Sequence, residues 1–306
     1  MLPVYRHKDT LLHGLYPAVS SLLVLTLAAA ALMLENPLYV ALVCGGTIAL
    51  VYAAEAWDEC KAFLRIGLIM ALFIALFNPL VNNQGAHVIV YGPRIPLWGN
   101  LDITLEAILY GLSSALRVFT VIMVFGLASA IINPDDLLGM FSRFSSRSSL
   151  SAALAVRLYP SMVTEAREIK EVQLVRGERL KGGGRWSRAR AHLPMLTSMF
   201  QGSLDRAASI AESMSARGFG SGRRTSLRRH LFRARDAIII ALSLAVLGVT
   251  IATVVCGKSA YSFFPTLSDP WIELSPIAWV ALAVILSLIV FLSRSWKRWH
   301  WWRSRI

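Results

Sequence analysis

The chain has 306 residues, 56% of them hydrophobic and only 16% charged, with a mean hydropathy of +0.56. That is too little charge for an ordinary soluble domain, where about a quarter of residues carry one. Thirty-one basic against 18 acidic residues leave a net charge of +13, so the composition points to a membrane protein facing something anionic: lipid headgroups, nucleotide or an acidic partner surface. Cys44, Cys60 and Cys256 form no CxxC pair and the six histidines lack metal-ligand spacing. Neither a disulfide framework nor a metal site is expected.

Six apolar runs reach or approach the 17–25 residues or so that a helix needs to cross a bilayer. They cover residues 18–34, 37–54, 66–81, 107–132, 237–256 and 276–293. Arg6 and Lys8 before the first run imitate a signal peptide, but further apolar runs follow without a cleavage context, so it reads as a retained span. With the N-terminus in the cytoplasm, Arg6, Lys8, Lys61, Arg65, Arg294, Lys297, Arg298, Arg303 and Arg305 lie inside. Arg94 and Lys258 lie outside. This bias places both termini in the cytoplasm of a multi-pass cell-membrane protein. The tail from Trp296 to Trp302 interleaves Trp with Lys and Arg, as a headgroup interface favours.

Arg117 interrupts the fourth run. An intramembrane charge is a functional candidate by default, but snorkelling or an unidentified acidic partner explains it equally well. Glu106 shares its helical face, yet 11 residues along a helix is about 16 Å, too far for a direct pair. Gly257-Lys258-Ser259 imitates a phosphate loop, but the required upstream Gly is replaced by Ala252, which excludes it.

Between the fourth and fifth runs lies a segment too polar to insert. Residues 143–235 hold 19 basic and 6 acidic side chains, so the whole net charge resides there. Asn133-Pro134-Asp135-Asp136 reads as a helix start, leading to a short helix ending near Phe144. Residues 145–149 read as a polar turn. A long helix is expected over 151–181, with Leu154, Leu158, Met162, Ala166, Ile169 and Val172 as its apolar stripe. Gly182-Gly183-Gly184 breaks it. A further helix is expected over 187–217, striped by Leu193, Leu196, Phe200, Leu204, Ala207, Ala211 and Met214 and ended by Gly218 and Gly220. Pro160 and Pro194 are placed in the N-terminal parts of these helices, where kinks are tolerated. The expected architecture is all-α. A four-helix transmembrane region covers 1–132, a cytoplasmic domain of two long amphipathic helices and one short helix covers 133–235, and a two-helix transmembrane region with a basic tail covers 236–306.

The long helices end in Val175-Arg176-Gly177 and Ala216-Arg217-Gly218, whose arginines are 41 residues apart. Two such ends after four spans resemble the T component of energy-coupling factor (ECF) transporters, the CbiQ/EcfT-like family, whose coupling helices end in paired Ala-Arg-Gly motifs. Tyr16-Pro17-Ala18, Leu105-Glu106 through Arg117, Pro134-Asp135-Asp136-Leu137-Leu138, Arg157-Leu158-Tyr159-Pro160 and Glu165-Ala166-Arg167 are similar to further stretches of that family. The resemblance covers residues 10–220. Val175 departs from the usual Ala, and the sixth span with its basic tail is not shared by every member.

The resemblance implies a non-catalytic subunit without cofactor or metal. It implies partnership with two ABC ATPases, as a homo- or heterodimer, and with a substrate-binding S component, in an importer for a vitamin or for a metal such as cobalt or nickel. Arg176 and Arg217 would each enter an ATPase groove, where the guanidinium fork suits carboxylates. The glycine after each allows close approach. Specificity would belong to the S component. Met162, Met195, Met199 and Met214 read as ordinary packing or, since methionine surfaces adapt, as an S-component docking surface. The remaining arginines suit membrane lipid. An ordinary ABC permease would offer one coupling helix rather than two. A nucleic-acid-binding block would need more aromatic platforms than Trp186, Phe219 and Phe232.

Overall fold

In the computed structural model, residues 8, 10–82, 85, 87–90, 94–95, 99–100, 103–133, 146–176, 193–222, 233–264 and 275–296 are described. The chain divides into two compact units. One comprises Met1–Leu137 with Leu231–Ile306 and the other Leu138–His230.

The first unit is an all-α bundle. Its helices are α1 (Pro17–Met33), α2 (Pro37–Ala53), α3 (Trp57–Val81) and α4 (Leu105–Ile131), joined after the second unit by α7 (Ala234–Val255) and α8 (Pro276–Ser295). Proline opens α1, α2 and α8 at the first helical position, where its missing N–H costs nothing. Asn36 caps α2 by accepting from the Leu38 N–H at 3.0 Å, and Thr104 caps α4 by accepting from Ala107 at 3.3 Å. Four helices, α3, α4, α7 and α8, are long and apolar enough to cross a membrane. The 17-residue α1 and α2 are shorter apolar helices. The chain is thus an all-α polytopic membrane protein. The third span begins nine residues before its apolar run, because Trp57 to Arg65 continue the same helix.

Helices α1 and α2 form the middle of the bundle. On one side lies α4; on the other, α7 packs on α1 and α8 on α2. Leu23, Leu27, Tyr39, Leu50, Met123, Leu127, Ile239 and Ile289 are fully buried between them. Helix α3 stands outside this core, packed chiefly along α4. A Cβ added at Gly126 of α4 would lie 3.0 Å from the Phe63 Cβ of α3. Small residues replace side-chain bulk so that two membrane helices approach closely. Leu68, Leu72, Phe73, Leu76 and Phe77 on the rest of α3 are exposed, as a lipid-facing surface requires. Buried Thr26, Thr47, Thr120 and Thr250 return their hydroxyls to carbonyls three or four residues earlier, so no partner outside the helix is needed.

Between α3 and α4 the structure adds two short antiparallel ladders that were not expected. Strand β1 (Val88–Val90) pairs with β4 (Ile103–Thr104), and β2 (Arg94–Ile95) with β3 (Gly99–Asn100). Glu106, fully buried, accepts from the His87 backbone N–H at 3.2 Å and contacts the His87 Nδ1 at 2.8 Å. It therefore anchors this connection rather than answering Arg117. Arg117 donates from Nη2 to the Leu34 carbonyl at 3.2 Å. Leu34 is the C-cap of α1, so the charge meets an orphan carbonyl at the negative end of a helix.

A second polar junction ties the bundle's other end. Buried Asp236 accepts from its own N-cap, the Arg233 N–H, at 2.8 Å and from the Tyr16 N–H at 3.1 Å. Arg235 donates to the Gly14 carbonyl, and its guanidinium lies 5.1 Å from the Trp296 ring centre. Trp296 is buried there, so it serves packing rather than the headgroup interface expected of the tail; residues 297–306 lie outside the described set.

Asp236→Ala would strip two backbone donors of their acceptor, at a cost of about 2 kcal/mol. The expected outcome is a lower unfolding midpoint in detergent, with Asp236→Asn retaining part of the loss because its amide oxygen still accepts.

Candidate functional site

The second unit carries both arginine motifs. Its described helices are α5 (Ser146–Val175) and α6 (Leu193–Ala216). Helix α5 starts before the expected Ser151 and includes residues 146–149, read above as a turn. Serine and arginine are compatible with a first helical turn, and no Gly or Pro interrupts them. Pro160 consequently falls in the middle of α5, whereas Pro194 is the second residue of α6. Residues 134–144 of the expected short helix, the Gly182-Gly183-Gly184 break and Gly177 lie outside the described residues.

One buttressed contact joins the two helices. Arg206 of α6 forms an ion pair with Glu165 of α5. A Cβ added at Gly202 would lie 2.9 Å from the Glu165 Oε1, so glycine makes room for this carboxylate. Arg176 lies eleven residues beyond Glu165, and Arg217 lies eleven residues beyond Arg206. Each helix therefore projects an arm of about 16 Å from the latch to its arginine. The latch residues share the 41-residue separation of the motif arginines. Arg206 and Gly202 escaped the sequence reading; that repeated spacing is the signal that could have found them.

The two arm ends are open. Val175 is 89% exposed and ends α5; Arg176 follows in the turn, exposed, its N–H on the Val172 carbonyl at 3.0 Å. At the other arm Ala216 ends α6 and Arg217 is exposed. Gly218 takes φ +71°. Its N–H bonds to the Ser215 carbonyl at 3.0 Å, and the Phe219 N–H reaches back to the Met214 carbonyl at 2.9 Å. These two bonds and the left-handed glycine make a Schellman cap, with the glycine one residue after Arg217, and satisfy the last carbonyls of the helix.

The packed face of α6 differs from the expected stripe. Met195, Met199, Gly202, Arg206, Ile210 and Met214 are half-buried, along the side that carries the latch. Leu193, Leu196, Phe200 and Leu204 are all more than half exposed. At 3.6 residues per turn the two faces are roughly a third of a turn apart. Hydrophobic periodicity found a real apolar face, but the packed one is set by the small and ionic residues at the crossing. On α5, Leu154, Leu158, Met162, Ala166 and Ile169 are half-buried as expected, and Val172 is exposed. Among the described residues no group of His, Cys, Asp and Glu could hold a metal ion.

A membrane bundle together with a separate unit of paired, arginine-ended helices defines the class as a polytopic membrane protein with a second, largely polar helical unit. The family model described as cobalt transport protein, CbiQ, matches residues 8–227. The chain is 26% identical over 255 residues to the energy-coupling factor transporter transmembrane protein EcfT of Bacillus selenitireducens, covering 78% of this chain and 91% of that protein. It is 25% identical to the same-named protein of Acidaminococcus fermentans, covering 79% of this chain and 93% of that one. With that of Bacillus subtilis it shares 26% identity, over 61% of this chain and 73% of the relative. The chain belongs to the CbiQ/EcfT family, the transmembrane T components of ECF transporters.

Gly218→Val would force a β-branched side chain into the left-handed region, costing about 1–2 kcal/mol. Hydrogen exchange at the Gly218 and Phe219 amides is expected to accelerate, while Gly218→Asn stays close to the parent.

Proposed function

We propose that the chain couples two ABC ATPases to a substrate-binding S component in the import of a vitamin or a metal micronutrient, with both termini cytoplasmic. The observation that carries the reading is the pair of exposed arginines at equal distances from one latch. Two equal arms suit two equivalent partner grooves. Arg176 and Arg217 each offer a planar donor fork to acidic side chains of one ATPase, and Lys would not reproduce that geometry. Ala216 and Gly218 keep the α6 end slim enough to enter a groove, and Val175 and Gly177 flank Arg176 in the matching pattern.

The latch gives the motion its fulcrum. When ATP draws the ATPases together, the arm ends follow, and the helices pivot about Glu165 and Arg206. The apolar side of α6 then carries the movement to the S component. Its exposed residues Leu193, Leu196, Phe200 and Leu204 form the docking face, with Met195 and Met199 at its margin and Met162 and Met214 toward the packed side. The excess of basic side chains outside the spans favours a cytoplasmic position for this unit and for both termini.

Arg176→Glu with Arg217→Glu is expected to abolish copurification of the ATPases and uptake, with membrane insertion unchanged. Each single variant is expected to weaken docking by roughly 2–5 kcal/mol, since a charged partner is left without its counterpart. A double variant that still holds two ATPases and transports would show the arginines to be solvated helix ends only. Glu165→Arg combined with Arg206→Glu restores the latch and is expected to recover transport lost in either single reversal.

A further inference from the structure

The 41-residue separation that joins the latch and the motif arginines recurs at a third pair of residues. Glu171 of α5 and Glu212 of α6 are 41 residues apart, and each stands five residues before its arginine. Acids are scarce here: residues 143–235 hold 6, namely Glu165, Glu168, Glu171, Glu178, Asp205 and Glu212. No other two of them share that separation, and Glu165 is engaged in the latch. Each arm therefore repeats one frame, an acid, four intervening residues, then Arg-Gly.

The arms themselves give these carboxylates little to do. Both are exposed, and neither forms an ion pair among the described residues. Three and four residues from Glu212 lie Ala208, Ser209, Ser215 and Ala216, so α6 offers it no cation at those spacings. Glu171 has Arg167 four residues before it, which is the weaker order for such a pair. Both acids sit toward the negative end of the helix macrodipole, where a carboxylate gains nothing. Anionic headgroups would repel them, which favours a protein as the surface they meet.

Five residues place each acid about 7.5 Å back from its arginine and roughly 140° around the helix. A flat surface meets one of these two charges. A groove that takes the helix end meets both, one on its floor and one on its wall. Resting on the coupling function proposed above, we propose that each ATPase groove carries a basic side chain, Lys or Arg, that pairs with Glu171 on one arm and with Glu212 on the other. The arginine then meets carboxylates while the glutamate meets a cation. Opposite charges at two points fix the rotation of the arm about its own axis, which one arginine at a helix end leaves free. Glu171 and Glu212 are thus positioning residues.

The test uses the full chain immobilised in detergent with the ATPases that copurify with it, washed with rising NaCl. Glu171→Gln combined with Glu212→Gln is expected to release the ATPases at lower salt, with affinity roughly tenfold weaker for the two pairs together. Glutamine has nearly the helix propensity of glutamate. Hydrogen exchange at the Arg176 and Arg217 amides is therefore expected to stay at the wild-type rate or slow, opposite in direction to the docking loss. Glu171→Lys combined with Glu212→Lys is expected to lose the ATPases even at low salt. Glu168→Gln, at an exposed acid of α5 with no acidic counterpart on α6, is expected to leave docking unchanged. An equal loss in Glu168→Gln overturns the proposal, because the effect would then be one of general charge. Faster exchange in the glutamine double variant also overturns it, because the acids would then serve the helix. ATPases that leave the Arg176→Glu, Arg217→Glu chain but stay on the glutamine double variant up to the wild-type salt concentration overturn the glutamate pairing alone. A wild type that holds no ATPase overturns the coupling function and this pairing with it.

Discussion

Backbone groups within a hydrocarbon layer have no water to satisfy them, and the turn between α1 and α2 is where this constraint acts most sharply. Both helices have only 17 residues, and Leu34 and Asn36 at their junction are fully buried. The polar groups of that junction must therefore be met by protein. The Glu35 and Asn36 N–H groups donate to the Ser259 carbonyl at 3.2 and 3.1 Å. The Leu34 carbonyl receives Arg117 from α4. One short turn thus recruits the chain after α7 and the middle of α4, and the central position of α1 and α2 follows from that closure.

The same segment after α7 extends the closure toward α4. Gly257, at φ +69°, ends α7 with a second Schellman cap, its N–H on the Val254 carbonyl and the Lys258 N–H on the Thr253 carbonyl. The chain then reverses so that Ser259 reaches the α1–α2 turn and Phe263 stacks edge-on against Tyr110 of α4, with ring centres 5.2 Å apart. The Gly-Lys-Ser that imitates a phosphate loop is therefore a helix stop with a structural duty. At the opposite end of α1, Asp236 and Arg235 perform the equivalent service for residues 14–16. Both ends of the short central helices are tied by polar contacts, while their flanks rely on apolar packing.

The paired helices of the second unit work by a different economy of contacts. No residue of α6 is buried, so its relation to α5 rests on Gly202 and the Glu165–Arg206 pair more than on an apolar core. A partly exposed ion pair contributes little stability, but it fixes where the helices cross. The crossing is weakly packed but has a defined point, and the apolar face with Leu193, Leu196, Phe200 and Leu204 stays exposed. The Schellman cap at Gly218 complements it, because the α6 end is closed rather than frayed.

The sequence by itself determined the all-α membrane class, the excess charge between the fourth and fifth spans and the two Arg-Gly helix ends. These depend on composition, long apolar runs and helix-stop residues, all of which are local. The glycine stop after Arg217 was legible because only a left-handed residue closes that cap cheaply. Tertiary structure alone decided the partners of Arg117, Glu106 and Asp236, the inner position of Trp296 and the half-buried face of α6. Each depends on groups far apart in the chain: Arg117 meets a carbonyl 83 residues away, and Asp236 meets an amide 220 residues away. A backbone carbonyl or amide leaves no side-chain signature, so periodicity could not name it. The α6 face was missed for a related reason, since a glycine and an ion pair, rather than the greasiest residues, set the crossing.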